Sequence, residues 1–395
     1  MKALFRPFVC LLLVLIASAD ATVATEPSSS ATQIAPVAKT DEYEGPAVVV
    51  ENWTKPHSGW LYILDPRPSP GEIGGHIWLV DPQAGEVMGS IRTASHPDFA
   101  LSPDGSYLYI ASNIDLHSTV LAAVDTSSGS VLFGGATIPD RAMPANIIPS
   151  YSAMAVSGDG RFLRLLVKKP NSVEFKLDAI DTRTGDVMPN HVDVKHCGDG
   201  QFISFPTADE VNFVCPAMKK VRLVRTGANS KELEDTNTEF PWNHRFGVAT
   251  AFPSPDGQYI TIVRCDGAVF EMNVVNLGFY PTSAHAGQPQ RIFPSAWPRS
   301  PDGSRVYLGY GHSPNTGAGN VAAYEFRVYN TATWRKPRTI KTSVPFWSAV
   351  ISGDGKYLYA LAPEQHSILV IDTSVMRQIR TINVGSMPSL GLVAP

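Results

Sequence analysis

The sequence has few of the groups that build metal or nucleophilic centres. Its 395 residues include only four cysteines and ten histidines. No His-x-His, His-x-x-x-His or Cys-x-x-Cys spacing occurs, and these are spacings that bring several ligands onto one ion. A Gly-x-Ser-x-Gly nucleophile elbow is also missing, which argues against a hydrolase of that kind. The chain is therefore predicted to hold no metal ion.

Charge is also scarce. Asp, Glu, Lys and Arg make up 17% of the chain, and the formal net charge is −4 at pH 7. The two signs are mixed along the sequence, which excludes a broad electrostatic surface for nucleic acid or an anionic membrane. After the N-terminal segment, no apolar run approaches the roughly 20 residues that a membrane-spanning helix needs.

The N-terminal residues read as an export signal. Lys2 and Arg6 precede an apolar run at residues 8–16 and the small residues Ala-Ser-Ala-Asp-Ala at 17–21, an order typical of a cleaved signal peptide. We therefore expect residues 1–21 to be removed and the mature protein to be periplasmic. Residues 22–45 are rich in Ala, Thr, Ser and Pro without an apolar period, which predicts a flexible leader. Residues 46–395 remain for the folded domain.

A repeated hairpin is the strongest pattern in the sequence. A strand, an Asp-Gly turn and a second, aromatic-rich strand recur, and glycine in such a turn supplies the positive φ that a tight hairpin requires. The aspartates stand at 104, 159, 209, 256, 302 and 354, the third in a degenerate turn before residues 211–214. A period of about 50 residues with this content is typical of a propeller repeat.

Each repeat contains a second phrase about 20 residues after its turn. An apolar strand ends in Asp or Asn, a turn follows, and another strand begins, as at 121–125 and 369–372. Four strands per repeat make one blade, so the prediction is an all-β, seven-bladed β-propeller of the YVTN or WD40-like kind. The seventh blade needs the C-terminal strand at 389–393 to complete the N-terminal one, with 48–50 as a competitor for that place. Such closure removes open sheet edges.

Candidate site residues follow from the period. Eight residues before each turn aspartate stand His96, Tyr151, Gln201, Val248, Pro294 and Phe346, while His244, Trp297 and Trp347 lie close by in sequence. If these positions begin the innermost strands, they surround one mouth of the central channel and could bind a ligand or a partner. The alternative is that they fill the axis as packing.

Three cysteines remain after processing. Cys197 and Cys215 flank two predicted adjacent strands, and an oxidising compartment favours a disulfide between them. Cys265 precedes an Asp-Gly pair at a strand end and is interpreted as a small buried residue.

With the repeats placed, the chain resembles the heavy subunit of the tryptophan tryptophylquinone-dependent amine dehydrogenases, the methylamine and aromatic amine dehydrogenase family. The most specific stretch runs from Cys197 to Cys215 and contains Phe-Ile-Ser-Phe-Pro-Thr-Ala at 202–208. Further similarity lies at 138–140, at Asn243-His244 and in the segment from Asn383. The resemblance is collinear over residues 59–393.

This resemblance implies a seven-bladed propeller that scaffolds a separate light subunit in a periplasmic heterotetramer. The light subunit would carry the tryptophan tryptophylquinone cofactor and oxidise a primary amine to an aldehyde and ammonia. Its electrons would pass to a small copper protein. The loop at residues 66–75 lacks the aromatic residue that the family places near its substrate channel, so the amine is left open.

Two other functions remain open at this stage. One is a stand-alone periplasmic propeller that binds a peptide, a glycan or an envelope protein. The other is a propeller hydrolase such as a lactonase, which would need acidic and basic groups at the channel mouth. The candidate positions include histidines but no carboxylate, which counts against the hydrolase.

Overall fold

A computed structural model describes the chain in segments. They are residues 47–66, 74–114, 117–140, 143, 152–168, 174–195, 201–204, 210–217, 220–227, 248–254, 256–264, 266–274, 279–286, 292, 295–311, 322–385 and 387–395. The predicted signal peptide and leader lie outside these residues, as do Tyr151, Cys197, His244, Cys265 and Pro294.

The described strands form seven separate antiparallel sheets. The first four contain β1 (Val48–Glu51), β2 (Leu61–Asp65), β3 (Gly75–Asp81) and β4 (Glu86–Thr93); β5 (Ser95–Leu101), β6 (Tyr107–Asn113), β7 (Thr119–Asp125) and β8 (Val131–Ile138); β9 (Met154–Val156), β10 (Phe162–Lys168), β11 (Glu174–Asp181) and β12 (Val187–Lys195); and β13 (Gln201–Ser204), β14 (Glu210–Ala217) and β15 (Lys220–Gly227).

The remaining three sheets follow in chain order. They contain β16 (Val248–Pro253), β17 (Tyr259–Arg264), β18 (Ala268–Asn273) and β19 (Phe279–His285); β20 (Arg305–Tyr310), β21 (Ala323–Asn330) and β22 (Arg338–Phe346); and β23 (Ser348–Ile351), β24 (Tyr357–Ala362), β25 (Ser367–Asp372) and β26 (Arg377–Asn383). A short 3₁₀ helix, Pro363–Gln365, joins β24 to β25, and β27 (Leu390–Val393) returns to the first sheet.

The chain ends close a ring of sheets. β27 pairs with β2, from Leu61 opposite Val393 to Leu64 opposite Leu390, so the C-terminal strand completes the N-terminal sheet as the sequence predicts. The competing segment, β1, instead pairs with β4 and adds a fifth strand at the outer edge. First strands of consecutive sheets adjoin one another, as β5 adjoins β9 and β9 adjoins β13. The fold is an all-β propeller.

Five of the predicted turns contain the same hydrogen bonds between a serine and an aspartate; the aspartates are Asp104, Asp159, Asp256, Asp302 and Asp354. In the seventh sheet the Ser352 hydroxyl donates to Asp354 at 2.7 Å and accepts the Tyr357 N–H at 2.9 Å. The Lys356 N–H and the Ser352 hydroxyl, both bonded to the Asp354 carboxylate, hold its pKa at about 2. Thr373, at the end of the third strand, donates to Gly355 O at 2.7 Å. The same bonds recur in the second sheet with Ser102, Asp104, Gly105 and Thr126.

Neighbouring turns also contact one another through proline and glycine. A Cβ added to Gly355 would lie 3.1 Å from Pro301, and one added to Gly105 would lie 2.2 Å from Pro395. Pro395 thus occupies, for the first sheet, the place that the turn proline occupies in the sixth. Both glycines have positive φ, +72° and +74°. A residue with a side chain would be strained at either place, and at Gly105 it would also overlap the proline.

The fourth hairpin keeps the register of the others. The last paired residue of a first strand lies opposite the residue seven positions later, as Leu101 pairs with Leu108 and Ile351 with Leu358. In the fourth sheet Ser204 pairs with Val211 at the same offset. The degenerate turn at Asp209, which the sequence predicts for this hairpin, lies outside the described residues.

The sixth sheet departs most from the pattern. In the described residues its first strand is reduced to two isolated bridges, from Ile292 to Tyr310 and from Arg299 to Val306. The two bridges differ in register by three residues, as at a bulge, and the proline at 298 supplies no N–H for a regular ladder. The Trp297 ring lies over Gly309, whose added Cβ would be 2.2 Å from the indole, and the indole packs in the core beside Phe326 and Phe346.

Candidate binding site on the propeller axis

A partly open cavity of about 700 Å³ lies among the first strands of the sheets. Most of its wall is apolar, and the polar side chains on it are those of Ser152, Gln201, Arg299 and Ser348. The apolar wall comes from Phe99–Leu101 and Pro103, Met154–Val156 and Gly158, Phe202, Ala296 and Pro298, Ala349–Ile351 and Leu390–Val393. A cavity of this size and composition is of the kind that accepts a small organic ligand.

Polar side chains on four of the described first strands form a ring in which each bonds to the next sheet. Gln201 donates its amide to Ala251 O at 2.8 Å and accepts the Ala251 N–H at 2.9 Å. The Thr250 hydroxyl accepts the Trp297 N–H at 3.2 Å, and Ser348 donates to Ser389 O at 2.7 Å. Inward-facing backbone groups of a first strand have no ladder partner, so these side chains satisfy groups that would otherwise need water.

Asp98 is the ionisable member of this ring. Its carboxyl accepts the Phe99 N–H at 2.7 Å and the Ala153 N–H of the next sheet, and lies 3.1 Å from the Ser152 hydroxyl. Desolvation by burial raises the pKa of Asp98 to about 7, against the opposing effect of the bonds from Ala153, Phe99 and Ser152.

The hydrogen bonds around Ser152 agree with a protonated Asp98. The Ser152 Oγ lies 2.8 Å from Met154 O and also accepts the Met154 N–H at 3.2 Å. A hydroxyl has a single proton, and Met154 O can receive it. The proton shared between Ser152 and Asp98 must then come from the carboxyl. A neutral Asp98 satisfies every group in the cluster and leaves this side of the cavity uncharged.

Arg299 is the charged residue of the wall. Its Nε donates to Gly303 O at 2.8 Å, its Nη1 donates to Pro253 O at 2.9 Å, and its guanidinium lies 5.7 Å from the centre of the Phe252 ring. Burial lowers the pKa of Arg299, while the more distant carboxylates of Glu271, Asp256 and Asp302 act in the opposite direction.

The predicted rim residues fall in different environments. Gln201 lines the cavity. His96 is exposed at a bulge of β5, with a φ of +50°. Trp347 is half-buried, its backbone N–H donates to Leu361 O at 2.9 Å, and its indole N–H has no acceptor in the described part of the chain. Trp297 and Phe346 are 2% and 0% exposed and pack against Phe326 in the core.

The structure shifts the functional position by two residues. Six residues before the turn aspartate, rather than eight, stand Asp98, Thr250 and Ser348, which bond the next sheet. Gln201 belongs to the same register position, because it stands three residues before Ser204 as Asp98 stands three before Leu101. Gln201 is the rim candidate that the sequence placed at this register position. Sequence reasoning missed Asp98, Ser152 and Arg299.

Two further features of the described segments bear on function. Within the described segments, no three His, Cys, Asp or Glu side chains lie close enough together to hold a metal ion. No helix in those segments has the length and hydropathy of a membrane crossing. Cys215 lies on β14, but its proposed partner Cys197 is outside the described residues, so the disulfide stays a prediction.

Comparison with known proteins gives the fold and no family. No protein-family model matches the chain, and no curated protein sequence matches it. Among solved structures, the chain is similar to a putative 6-phosphogluconolactonase from Bacteroides uniformis, with a TM-score of 0.59, 12% identity and coverage of 85% of this chain and 100% of that one.

Two other solved structures give similar values. A chain of Kuenenia stuttgartiensis hydrazine synthase has a TM-score of 0.51 and 17% identity over 74% of this chain and 87% of its own. The dihydro-heme d1 dehydrogenase NirN in complex with DHE has a TM-score of 0.51 and 16% identity over 84% of this chain and 65% of its own. At these identities the similarity shows a shared propeller fold alone.

Proposed function

We propose that this chain is the heavy subunit of a periplasmic quinoprotein amine dehydrogenase, a scaffold with no catalytic residue of its own. In this proposal the seven sheets are seven blades of one ring. A separate light subunit with tryptophan tryptophylquinone oxidises the amine, and a small copper protein receives the electrons. Two heavy and two light subunits make the complex. The collinear resemblance over residues 59–393 supports this proposal.

The observation that carries the scaffold role is that the polar side chains near the axis are bonded to the backbone of neighbouring sheets. Gln201 and Ser348 bond backbone groups of the next sheet, and Asp98 does the same through Ala153. These side chains hold blades together and leave no acid–base pair with free hydrogen-bonding capacity on the described wall. A rigid ring of this kind positions a partner, and the partner then supplies the reactive group.

The redox names of two solved neighbours agree with this proposal without carrying it. Hydrazine synthase and the dihydro-heme d1 dehydrogenase are named for redox reactions, while the third is named a putative lactonase. The lactonase alternative lacks support here, because a hydrolase at the channel needs a base or a metal-bound water.

The test is to isolate the complex from its native periplasm through a tag on this chain. We expect a small, cysteine-dense chain to co-purify, with visible absorption from its quinone that bleaches when a primary amine is added. The same chain produced alone should be colourless and inactive toward amines. Amine oxidation by the isolated chain, or purification from the native periplasm with no quinone-bearing partner, would contradict the proposal.

The second candidate is a stand-alone periplasmic binding propeller. The observation that favours it is the 700 Å³ cavity with a mainly apolar wall. Under this alternative, the native protein is a colourless monomer whose stability increases with a bound ligand, so the same purification distinguishes the two functions.

A further inference from the structure

Arg299 occupies a position that is apolar in most of the other sheets. This position is the last one of a first strand that pairs with the second strand, and its partner stands seven residues later. Arg299 bridges to Val306 in this way, as Leu101 pairs with Leu108. The equivalent residues in the other sheets of this register are Leu101, Val156, Ser204, Pro253 and Ile351. A single cation in a ring of mainly apolar residues departs from the local pattern, and such a departure is typical of a functional residue.

The guanidinium is incompletely satisfied. An arginine side chain has five N–H donors, and the two bonds of Arg299 go to the carbonyl oxygens of Gly303 and Pro253. In the described chain no carboxylate lies within ion-pair distance of it. Three N–H donors therefore remain at a half-buried place beside the cavity, and the carboxylates of Glu271, Asp256 and Asp302 act on the guanidinium only from beyond ion-pair distance. Unpaired donors at a half-buried place favour a bound acceptor.

The rest of the wall does not compete for an anion. Gln201 and Ser348 are committed to the next sheets. The Asp98 carboxyl is enclosed by Phe99, Ser152 and Ala153, and Asp98 lies three residues earlier in its strand than the level of Arg299. Between these two levels the wall is apolar, with Met154, Leu392 and Ile351 among its residues.

We propose that the axial cavity binds a monocarboxylate with an apolar tail, of the medium-chain fatty-acid type. The carboxylate accepts the spare N–H groups of Arg299, and the tail lies against the apolar first strands. The two recognition elements are separate, so a ligand needs both a negative head and an apolar body to bind well. A bidentate or charge-assisted bond to a guanidinium is the strong form of such recognition.

The test uses three twelve-carbon probes that differ in the head group. Dodecanoate, 1-dodecanol and dodecyltrimethylammonium are titrated into the full chain below their aggregation concentrations, with displacement of a neutral fluorescent naphthylamine as the readout. We expect dodecanoate to bind at least about tenfold more tightly than dodecanol, and the cation to bind most weakly. Equal binding of all three probes, or no binding of dodecanoate, would overturn the proposal.

Variants then separate the head-group contact from the cavity. Arg299→Gln should weaken dodecanoate binding by about 10- to 100-fold and leave dodecanol unchanged, whereas Arg305→Gln removes the same charge from an exposed residue of the same sheet and should leave both unchanged. Ala155→Phe fills the cavity without altering charge and should weaken both probes together.

If Arg299→Gln folds and still prefers dodecanoate, the assignment of Arg299 is wrong. If Arg299→Gln does not fold, Ala155→Phe decides the site, and unchanged dodecanoate binding then excludes it. The amine dehydrogenase function can fail without affecting these outcomes.

Discussion

At the residue scale, some side chains are fixed by what stands opposite them in space. Gly309 is one such residue, because the Trp297 indole covers the place where its Cβ would be. Trp297 in turn meets Phe326 and Phe346 edge-on, at ring-centre distances of 5.9 Å in both cases. The bulged strand, the tryptophan and the glycine therefore form one packing unit.

This unit predicts the effect of adding a single methyl group. Gly309→Ala should lower the free energy of unfolding by about 1–3 kcal/mol, because an added core methyl forces neighbouring groups to move. Gly353→Ala is the matched control, since nothing lies within 4 Å of its added Cβ. Denaturant unfolding of both variants measures the difference. Combining Gly309→Ala with Trp297→Leu should recover part of the loss, and equal stabilities of the two alanine variants would contradict this packing account.

At the scale of elements, the joints between sheets depend on a few polar contacts at the starts of first strands. Asp98 joins the second and third sheets, and among the described residues no charged side chain contributes to its pKa. Its pKa of about 7 therefore follows from burial at the joint. This gives the joint a pH dependence of definite sign.

The pH dependence should appear as a loss of stability on raising the pH. The folded chain holds the Asp98 proton up to about pH 7, whereas the unfolded chain releases it near 3.8, the ordinary pKa of an aspartate side chain. The associated stabilisation is fully present below pH 3.8 and is lost as the pH rises through about 7, a total on the order of 4 kcal/mol. Asp98→Asn cannot titrate and should remove this slope, even if it lowers stability at every pH.

Thermal unfolding between about pH 5 and pH 8 measures the slope. The exposed Asp186→Asn is the matched control, and it should keep the slope of the unaltered chain. Identical slopes for all three proteins would show that Asp98 is ionised in the folded state.

At the scale of the whole molecule, closure of the ring depends on the C-terminal strand. β27 pairs with β2, Ser348 bonds Ser389 O, and Pro395 packs on the turn of the second sheet at Gly105. One short strand thus contacts the first, second and seventh sheets. Its loss would expose the inner edge of β2 and weaken every sheet contact that relies on a closed circle.

Deletion of residues 390–395 should therefore lower the melting temperature by more than about 5 °C and cause association through the open edge. A synthetic peptide of residues 389–395, added in excess, should restore part of the stability, and a scrambled peptide of the same composition should not. A truncated chain that melts as the full chain does and stays monomeric would show that the ring closes without β27.

The sequence by itself determined the features that depend on neighbouring residues. The Ser-x-Asp-Gly turns, their spacing and the closing strand are local, because hydrogen bonds over five residues or fewer create each turn. The same local pattern also put Gln201 among the candidate residues, and Gln201 lines the cavity.

Only the tertiary structure decided what those positions do. Asp98 acts through Ala153, 55 residues later, and Trp297 acts through Gly309 in the next strand. Arg299 keeps spare N–H donors because its bonding partners in the described segments are two carbonyl groups, and the wall beside it is mainly apolar. Contacts between sheets depend on register and on the identity of distant neighbours, and a single sequence does not record either.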